Sequence, residues 1–148
     1  MTPSRQGPPD EDPDLAELLR KQAELLKTQG FVVHYVLDDH IPGLIDCHTH
    51  GLSQEFGFEL QAVLNLRPEI LIAIVSDVAK AVKTRHVHLT NGARLNGFLR
   101  GNFALGIKEV SKEGLRHMRI IIPDPSGNIE ANQMAEPYAQ QHAVPENS

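Results

Sequence analysis

One stretch organises this fold, and it reads Asp46-Cys47-His48-Thr49-His50-Gly51-Leu52-Ser53-Gln54-Glu55-Phe56-Gly57-Phe58-Glu59-Leu60. The residues from Leu44 to Gly51 predict a strand, and those from Leu60 to Leu66 predict another. Between them, Ser53 to Gly57 predict a turn or a short helix. The stretch is therefore expected to form a strand–turn–strand unit.

The turn in this unit has the composition of an ordered loop that closes one end of a sheet. Gly51 and Gly57 permit sharp bends, because glycine reaches backbone conformations that are costly for other residues. Glu59 lies beside the apolar Leu60, and a buried carboxylate needs a partner. We expect backbone amides or a basic side chain to hold Glu59. The alternative is that Glu59 binds a ligand at the end of the sheet, together with the Thr49 hydroxyl and the open backbone at Gly51.

Two main helices flank this unit in the sequence. Asp14 to Gln29 carries leucines at helical spacing and opens with a capping box formed by Asp14 and Glu17. Pro68 suits the first position of a second helix, which is apolar over much of its surface and ends near Arg85. We expect this second helix to be largely buried.

The rest of the ordered chain predicts strands joined by glycine-rich turns. The predicted strands are Phe31 to Leu37, His86 to Thr90, Phe98 to Leu99, Phe103 to Val110 and Arg116 to Ile122. The class is therefore α+β, a single domain with a mostly antiparallel sheet and two main helices packed on it. We expect a domain over residues 13–130, with disordered tails over 1–12 and 131–148, because the tails hold few apolar residues.

The charge of the chain is unevenly distributed. The net charge is -5, yet residues 80–119 hold nine basic and two acidic side chains, which gives about +7 there and about -12 elsewhere. Such a segment can bind an anionic partner, although the two halves of the chain can also neutralise each other. No apolar run reaches the roughly 18 residues of a membrane span. The single cysteine and the polar N-terminus fit a soluble protein of the reducing cytoplasm.

The histidines form a second pattern. The chain has 8 His, and four of them form two His-x-His pairs: His48 with His50, and His86 with His88. Residues two apart on a strand point to the same side, so two neighbouring strands could present four imidazoles to one ion, with Asp46 nearby. This would suit zinc or a similar divalent transition metal. The alternative is that these histidines lie on a solvated strand face.

Several separated motifs resemble one known family. Thr49-His50-Gly51-Leu52, Phe56-Gly57 and Glu59-Leu60 resemble the "T-x-G-L … G-H-P-E-L" signature of a bacterial domain of unknown function, the family numbered 4262. Three later segments resemble its following elements in order: Arg67-Pro68-Glu69, Asn96 to Asn102, and Ile120 to Asp124 with Gly127. The resemblance implies a fold and a signature loop, but no established reaction.

The chain also departs from that family in ways that bear on the metal hypothesis. Phe58 stands alone where the family has His-Pro, and the usual Trp near the closing turn is missing. His48 and His50 stand where the family has Tyr and Val. A histidine pair that replaces ordinary strand residues does not indicate an ancestral catalytic site.

The sequence therefore favours a small binding or interaction module without catalysis, whose ligand or protein partner is unknown. No nucleophile elbow, Walker loop or Cys-x-x-Cys motif supports an acyl-transfer, nucleotide or redox template. Two alternatives stay open. One is a metal-dependent enzyme that uses His48, His50, His86 and His88. The other is a binder of an anionic partner through residues 80–119.

Overall fold

The computed structural model describes residues 13–38 and 41–143, and the chain divides into two compact units. The first unit ends at Val32 and contains helix α1, Pro13–Gln29. Its observed start precedes the predicted one by a single residue, which is within the usual ambiguity of helix ends. Both the predicted tail over residues 1–12 and residues 144–148 lie outside the described residues.

Four leucines at helical spacing on helix α1 are 43–53% exposed, namely Leu18, Leu19, Leu25 and Leu26. None of the described helices is long and apolar enough to cross a membrane.

The second unit begins at Val33 and is built on one six-stranded sheet with the order β1-β2-β3-β6-β5-β4. The strands are β1 Val32–Leu37, β2 Ile45–His50, β3 Glu59–Leu64, β4 Arg94–Leu95, β5 Leu105–Lys112 and β6 Leu115–Ile121. The β2–β3, β4–β5 and β5–β6 pairs are antiparallel, and β3–β6 is parallel. The predicted α+β class with a mostly antiparallel sheet is confirmed.

The core of this unit lies around β3 and a long apolar helix. β3 lies between β2 and β6 in the sheet, and every one of its residues is buried. Helix α3, Pro68–Lys83, contacts β2 and β3, and its first position is the predicted Pro68. Its buried side chains recur at helical spacing: Leu71, Ile74, Val75, Val78, Ala79 and Val82. The short helix α2, Ser53–Phe56, connects β2 to β3, so the strand–turn–strand unit sits against the main helix.

Two predicted strands are wrong. His86 to Thr90 runs without strand pairing after α3, and Phe98 to Leu99 lies in a bend. On the side away from β6, β5 pairs instead with β4, whose Arg94 aligns with Gly106. Short β-rich segments predict strands by propensity, but pairing depends on which edges the tertiary fold leaves open.

The prediction of disorder from residue 131 onward is wrong for residues 131–143. A short helix, α4, Gln140–Ala143, contacts β3, and its Gln141 is fully buried. The Gln141 side chain accepts the Ile122 amide at 2.7 Å and donates to the Ile122 carbonyl at 2.8 Å. The Gln141 side chain therefore satisfies the backbone amide and carbonyl of Ile122, just beyond β6. Composition alone does not predict such a contact.

Candidate functional site

The turn between β2 and β3 is held together by the Glu59 carboxylate. Oε1 accepts the Thr49 hydroxyl at 2.7 Å and the Leu52 amide at 3.2 Å. Oε2 accepts the Gly51 amide at 3.2 Å and the Ser53 amide at 3.0 Å. The prediction that backbone amides hold Glu59 is confirmed, and the same carboxylate satisfies amides at the start of α2.

These bonds also fix the charge of Glu59. Burial alone would raise its pKa, but hydrogen bonds from Thr49, Ser53 and Leu52 outweigh burial and lower it. The Thr49 hydroxyl accepts the Leu60 amide at 2.9 Å, so its donor and acceptor capacity are both used. Thr49 is fully buried and Glu59 nearly so. The ligand-binding role of Thr49, Gly51 and Glu59 stays a prediction, and in this structure their polar groups bind one another.

Three histidines form a cluster beside this turn. The rings of His48 and His50, two residues apart on β2, have centroids 5.0 Å apart. The His34 ring on β1 lies 4.7 Å from the His50 ring and 6.2 Å from the His48 ring. The His-x-His spacing did not indicate His34, because the position of His34 beside β2 follows from the strand order.

The cluster borders a cleft of about 390 Å³, which we call the histidine cleft. It is lined by Val36, His48, Thr49, His50, Glu59, Glu113, Leu115 and His117. Burial, followed by the neighbouring imidazoles, lowers the pKa of His34. Burial and then His48 lower the pKa of His50 as well, and Glu59 opposes this shift only in part. Both imidazoles are therefore held in the neutral form at pH 7.

A row of buried polar side chains crosses three strands and consists of Asp46, Gln61 and Arg119, which we call the polar row. Gln61 on β3 donates to both carboxylate oxygens of Asp46 at 3.3 Å. Arg119 on β6 donates to the Gln61 side chain at 2.9 Å and to the Gln141 carbonyl at 3.0 Å. Nδ1 of His48 lies 3.7 Å from Asp46, too far for a hydrogen bond, and has no hydrogen-bond partner within the described ranges. This row links the sheet to α4.

The four-histidine metal site is not formed in this structure. His48 and His50 line the histidine cleft, whereas His88 lines a different cleft and His86 lies 3.1 Å from the Thr84 hydroxyl. In the part of the chain that the structure describes, no three His, Cys, Asp or Glu side chains are placed to hold a metal ion. The two pairs fail to converge because the segment holding His86 and His88 does not join the sheet as a strand.

Cys47 is a buried core residue with a protonated thiol. Its side chain is fully buried, and burial, together with the Asp46 charge, raises the pKa of the thiol to about 12. A thiol with that pKa holds almost no thiolate at neutral pH, and the thiolate is the reactive form.

The basic segment over residues 80–119 does not form one exposed face. Arg119 is buried in the polar row, and Arg116 pairs with Glu109 at 3.1 Å. Lys83 and Arg85 both bind Glu55, at 2.9 and 2.8 Å. Four of the nine basic side chains in this segment are therefore engaged in separate local contacts.

The outer strand β1 is the exposed edge next to the histidine cleft. Three consecutive apolar side chains at its end are exposed, with Tyr35 at 47%, Val36 at 51% and Leu37 at 67%. Val36 also lines the histidine cleft. We call Tyr35, Val36 and Leu37 the edge surface.

Comparisons with known proteins show a similar fold but no family. No family model matches the chain, and no curated protein matches it. The crystal structure of a proposed SUFU (suppressor of fused protein) homolog from Neisseria gonorrhoeae FA 1090 is similar, with a TM-score of 0.50 and 12% sequence identity. The match covers 80% of this chain and 74% of that one. At that identity the likeness shows the fold alone, and the resemblance to the family numbered 4262 stays a prediction.

Proposed function

We propose that this chain is a non-catalytic protein-interaction module that binds an extended segment of a partner along β1. The observation that carries the proposal is the exposed apolar edge formed by Tyr35, Val36 and Leu37. β1 is the last strand of the sheet on this side, and residues 32–37 contain no charged residue and no proline. Natural proteins usually protect an outer strand with such residues, because a bare edge pairs with other chains.

The histidine cleft suits the side chains of an added strand. In a strand, alternate side chains point to the same face, so a partner paired with β1 would present every second residue on the cleft side. Val36 and Leu115 provide apolar contact there, and His50 provides a neutral hydrogen-bonding group. The backbone would then supply affinity, and the cleft would supply selectivity.

Two groups that could perform catalysis, the Glu59 carboxylate and the Cys47 thiol, are buried in the fold. The Glu59 carboxylate accepts four hydrogen bonds, so it is a poor general base. The Cys47 thiol is buried and protonated. The metal-enzyme alternative requires a group of donors that the described residues do not bring together. These features favour binding over reaction.

The test compares Val36→Lys with Ile70→Lys. Both replace an exposed apolar residue by a cation, but Ile70 lies on α3 and outside the histidine cleft. Proteins from cells that produce the chain are captured on the wild type and on each variant, and bound proteins are quantified. We expect a partner that binds the wild type and Ile70→Lys and is lost with Val36→Lys.

Hydrogen exchange on the purified complex then locates the contact. The amides of β1 should exchange more slowly when the partner is bound. A partner retained equally by Val36→Lys, with exchange in β1 unchanged, would overturn the proposal. Sedimentation of the purified chain tests whether the segment bound to β1 belongs to a second copy of this chain. In that case the wild type should self-associate and Val36→Lys should not.

A further inference from the structure

Two phenylalanines on the turn after β2 are surrounded by cations. The rings of Phe56 and Phe58 have centroids 6.2 Å apart. Nζ of Lys83 lies 5.9 Å from the Phe56 ring, and Cζ of Arg85 lies 5.5 Å from it. Cζ of Arg116 lies 5.9 Å from the Phe58 ring. Three cations therefore lie within cation–π distance of two aromatic rings.

These rings line a cleft of about 290 Å³, which we call the cation–aromatic cleft. Its lining is Phe56, Phe58, Val82, Arg85, Val87, His88 and Leu89. Val82, Leu89 and Phe58 are buried and form an apolar interior, whereas Arg85 and His88 are exposed. A site of this kind suits a ligand with an apolar body and an anionic end.

A carboxylate already occupies the cations at this cleft. The Glu55 side chain bridges Lys83 at 2.9 Å and Arg85 at 2.8 Å, and Arg116 is paired with Glu109 at 3.1 Å. All of these pairs are solvent-exposed, so exchanging one carboxylate for another disturbs little of the fold. The Glu55 contact therefore shows that Lys83 and Arg85 together can bind a carboxylate.

Arg85 occupies a backbone position that ordinarily favours glycine. Its φ is 61, and it follows the end of α3. The Arg85 amide bonds to the Val82 carbonyl at 3.0 Å, and the His86 amide bonds to the Ala81 carbonyl at 2.9 Å. This pair of bonds is the Schellman motif, whose left-handed residue is usually glycine. Arginine thus stands at a position where the backbone favours glycine, and its side chain lines the cation–aromatic cleft.

We propose that the cation–aromatic cleft binds a small carboxylate with an aromatic or apolar body, whose anionic end replaces Glu55 on Arg85 and Lys83. The site is separate from the edge surface, so either proposal can fail without the other. It also gives a location to the anionic partner expected from residues 80–119.

The test uses three compounds that share a phenyl ring and differ in charge: phenylacetate, 2-phenylethanol and 2-phenylethylammonium. Each is titrated into the full chain at low ionic strength, and backbone amide shifts are followed by NMR. We expect phenylacetate to shift the amides of Gly57 and of residues 85–89. It should bind about tenfold more tightly than the other two, because only an anion can take the place of Glu55 in charge-assisted hydrogen bonds with Lys83 and Arg85.

The matched variants are Arg85→Gly and Arg100→Gln. Arg85→Gly removes the guanidinium and gives the backbone the residue it favours, so the fold should be retained while phenylacetate binds about tenfold more weakly. Arg100→Gln removes the same charge from an exposed residue that does not line the cleft, and it should leave binding unchanged.

Three results would overturn the proposal. The first is an absence of shifts at residues 85–89 with phenylacetate. The second is equal binding of all three compounds, which indicates apolar contact alone. The third is an equal loss of binding in Arg85→Gly and Arg100→Gln, which indicates net charge and not a site.

Discussion

The Thr49 hydroxyl donates to the Glu59 carboxylate at 2.7 Å and joins the end of β2 to the start of β3. The same hydroxyl accepts the Leu60 amide at 2.9 Å. Glu59 in turn accepts three backbone amides from the turn that leads into α2. One threonine and one glutamate therefore fix the geometry of the loop that borders the histidine cleft.

The first prediction follows from this bond network. Glu59→Gln replaces one acceptor oxygen by an amide group that cannot accept the loop N–H donors. We expect the free energy of unfolding to fall by about 1–3 kcal/mol, the cost of a damaged buried hydrogen bond. Urea unfolding at pH 7 measures the change. Glu55→Gln is the control, because that carboxylate is exposed, and it should have little effect. Equal stability of Glu59→Gln and wild type would mean that the loop does not depend on Glu59.

The second prediction concerns pH. The pKa values of His34 and His50 are lowered in the folded chain. As the pH falls, these histidines therefore take up protons first in the unfolded chain, where their pKa is about 6.5. The contribution of these two histidines to the free energy of unfolding should therefore be fully present above that pH. It should decrease as the pH falls through about 6.5 and level off below the pKa values of the folded chain. The titratable groups that act on His50 are His48, His117 and Glu59. The two histidines lower the pKa of His50, and Glu59 raises it.

Urea unfolding at pH 7.5, 6.5 and 5.5 measures this dependence. Protonation of one ring disfavours protonation of the next at 4.7–5.0 Å, so His50→Asn should flatten the pH profile. His88→Asn is the control, because His88 is exposed and lies outside the cluster. A profile that rises toward acid pH, or one that is unchanged by His50→Asn, would contradict the prediction.

The third prediction concerns the single cysteine. Burial raises the pKa of the Cys47 thiol to about 12, so the native protein should react very slowly with iodoacetamide at pH 8. Reaction should become rapid in denaturing urea, where the thiol is exposed and its pKa is about 8.5. Mass spectrometry at fixed times measures the labelled fraction. Rapid labelling without urea would show that β2 opens readily.

The fourth prediction concerns the C-terminal segment. Gln141→Ala removes the bonds to both backbone groups of Ile122 and should reduce the free energy of unfolding on the order of 2 kcal/mol, since those groups stay buried. Gln140→Ala is the neighbouring control. Truncation after Asn132 should lower the melting temperature by several degrees, contrary to the expectation from composition. A truncated chain as stable as the full one would mean that α4 does not contribute to stability.

Local patterns in the sequence were sufficient for the elements with strong periodicity. Pro68 and the apolar spacing after it determined α3, because a helix start and a buried face are local properties. The composition of the turn likewise indicated that Glu59 needs a partner, since an isolated buried carboxylate is costly. These conclusions required only neighbouring residues.

The tertiary structure alone decided which distant residues meet. It placed His34 beside His50 through the strand order, and it separated His88 from both by leaving residues 86–90 unpaired. It also gave Gln141 its partner on Ile122, 19 positions earlier in the chain. Contacts of this kind depend on pairing between segments far apart in sequence, and the local propensities of those segments do not specify the pairing.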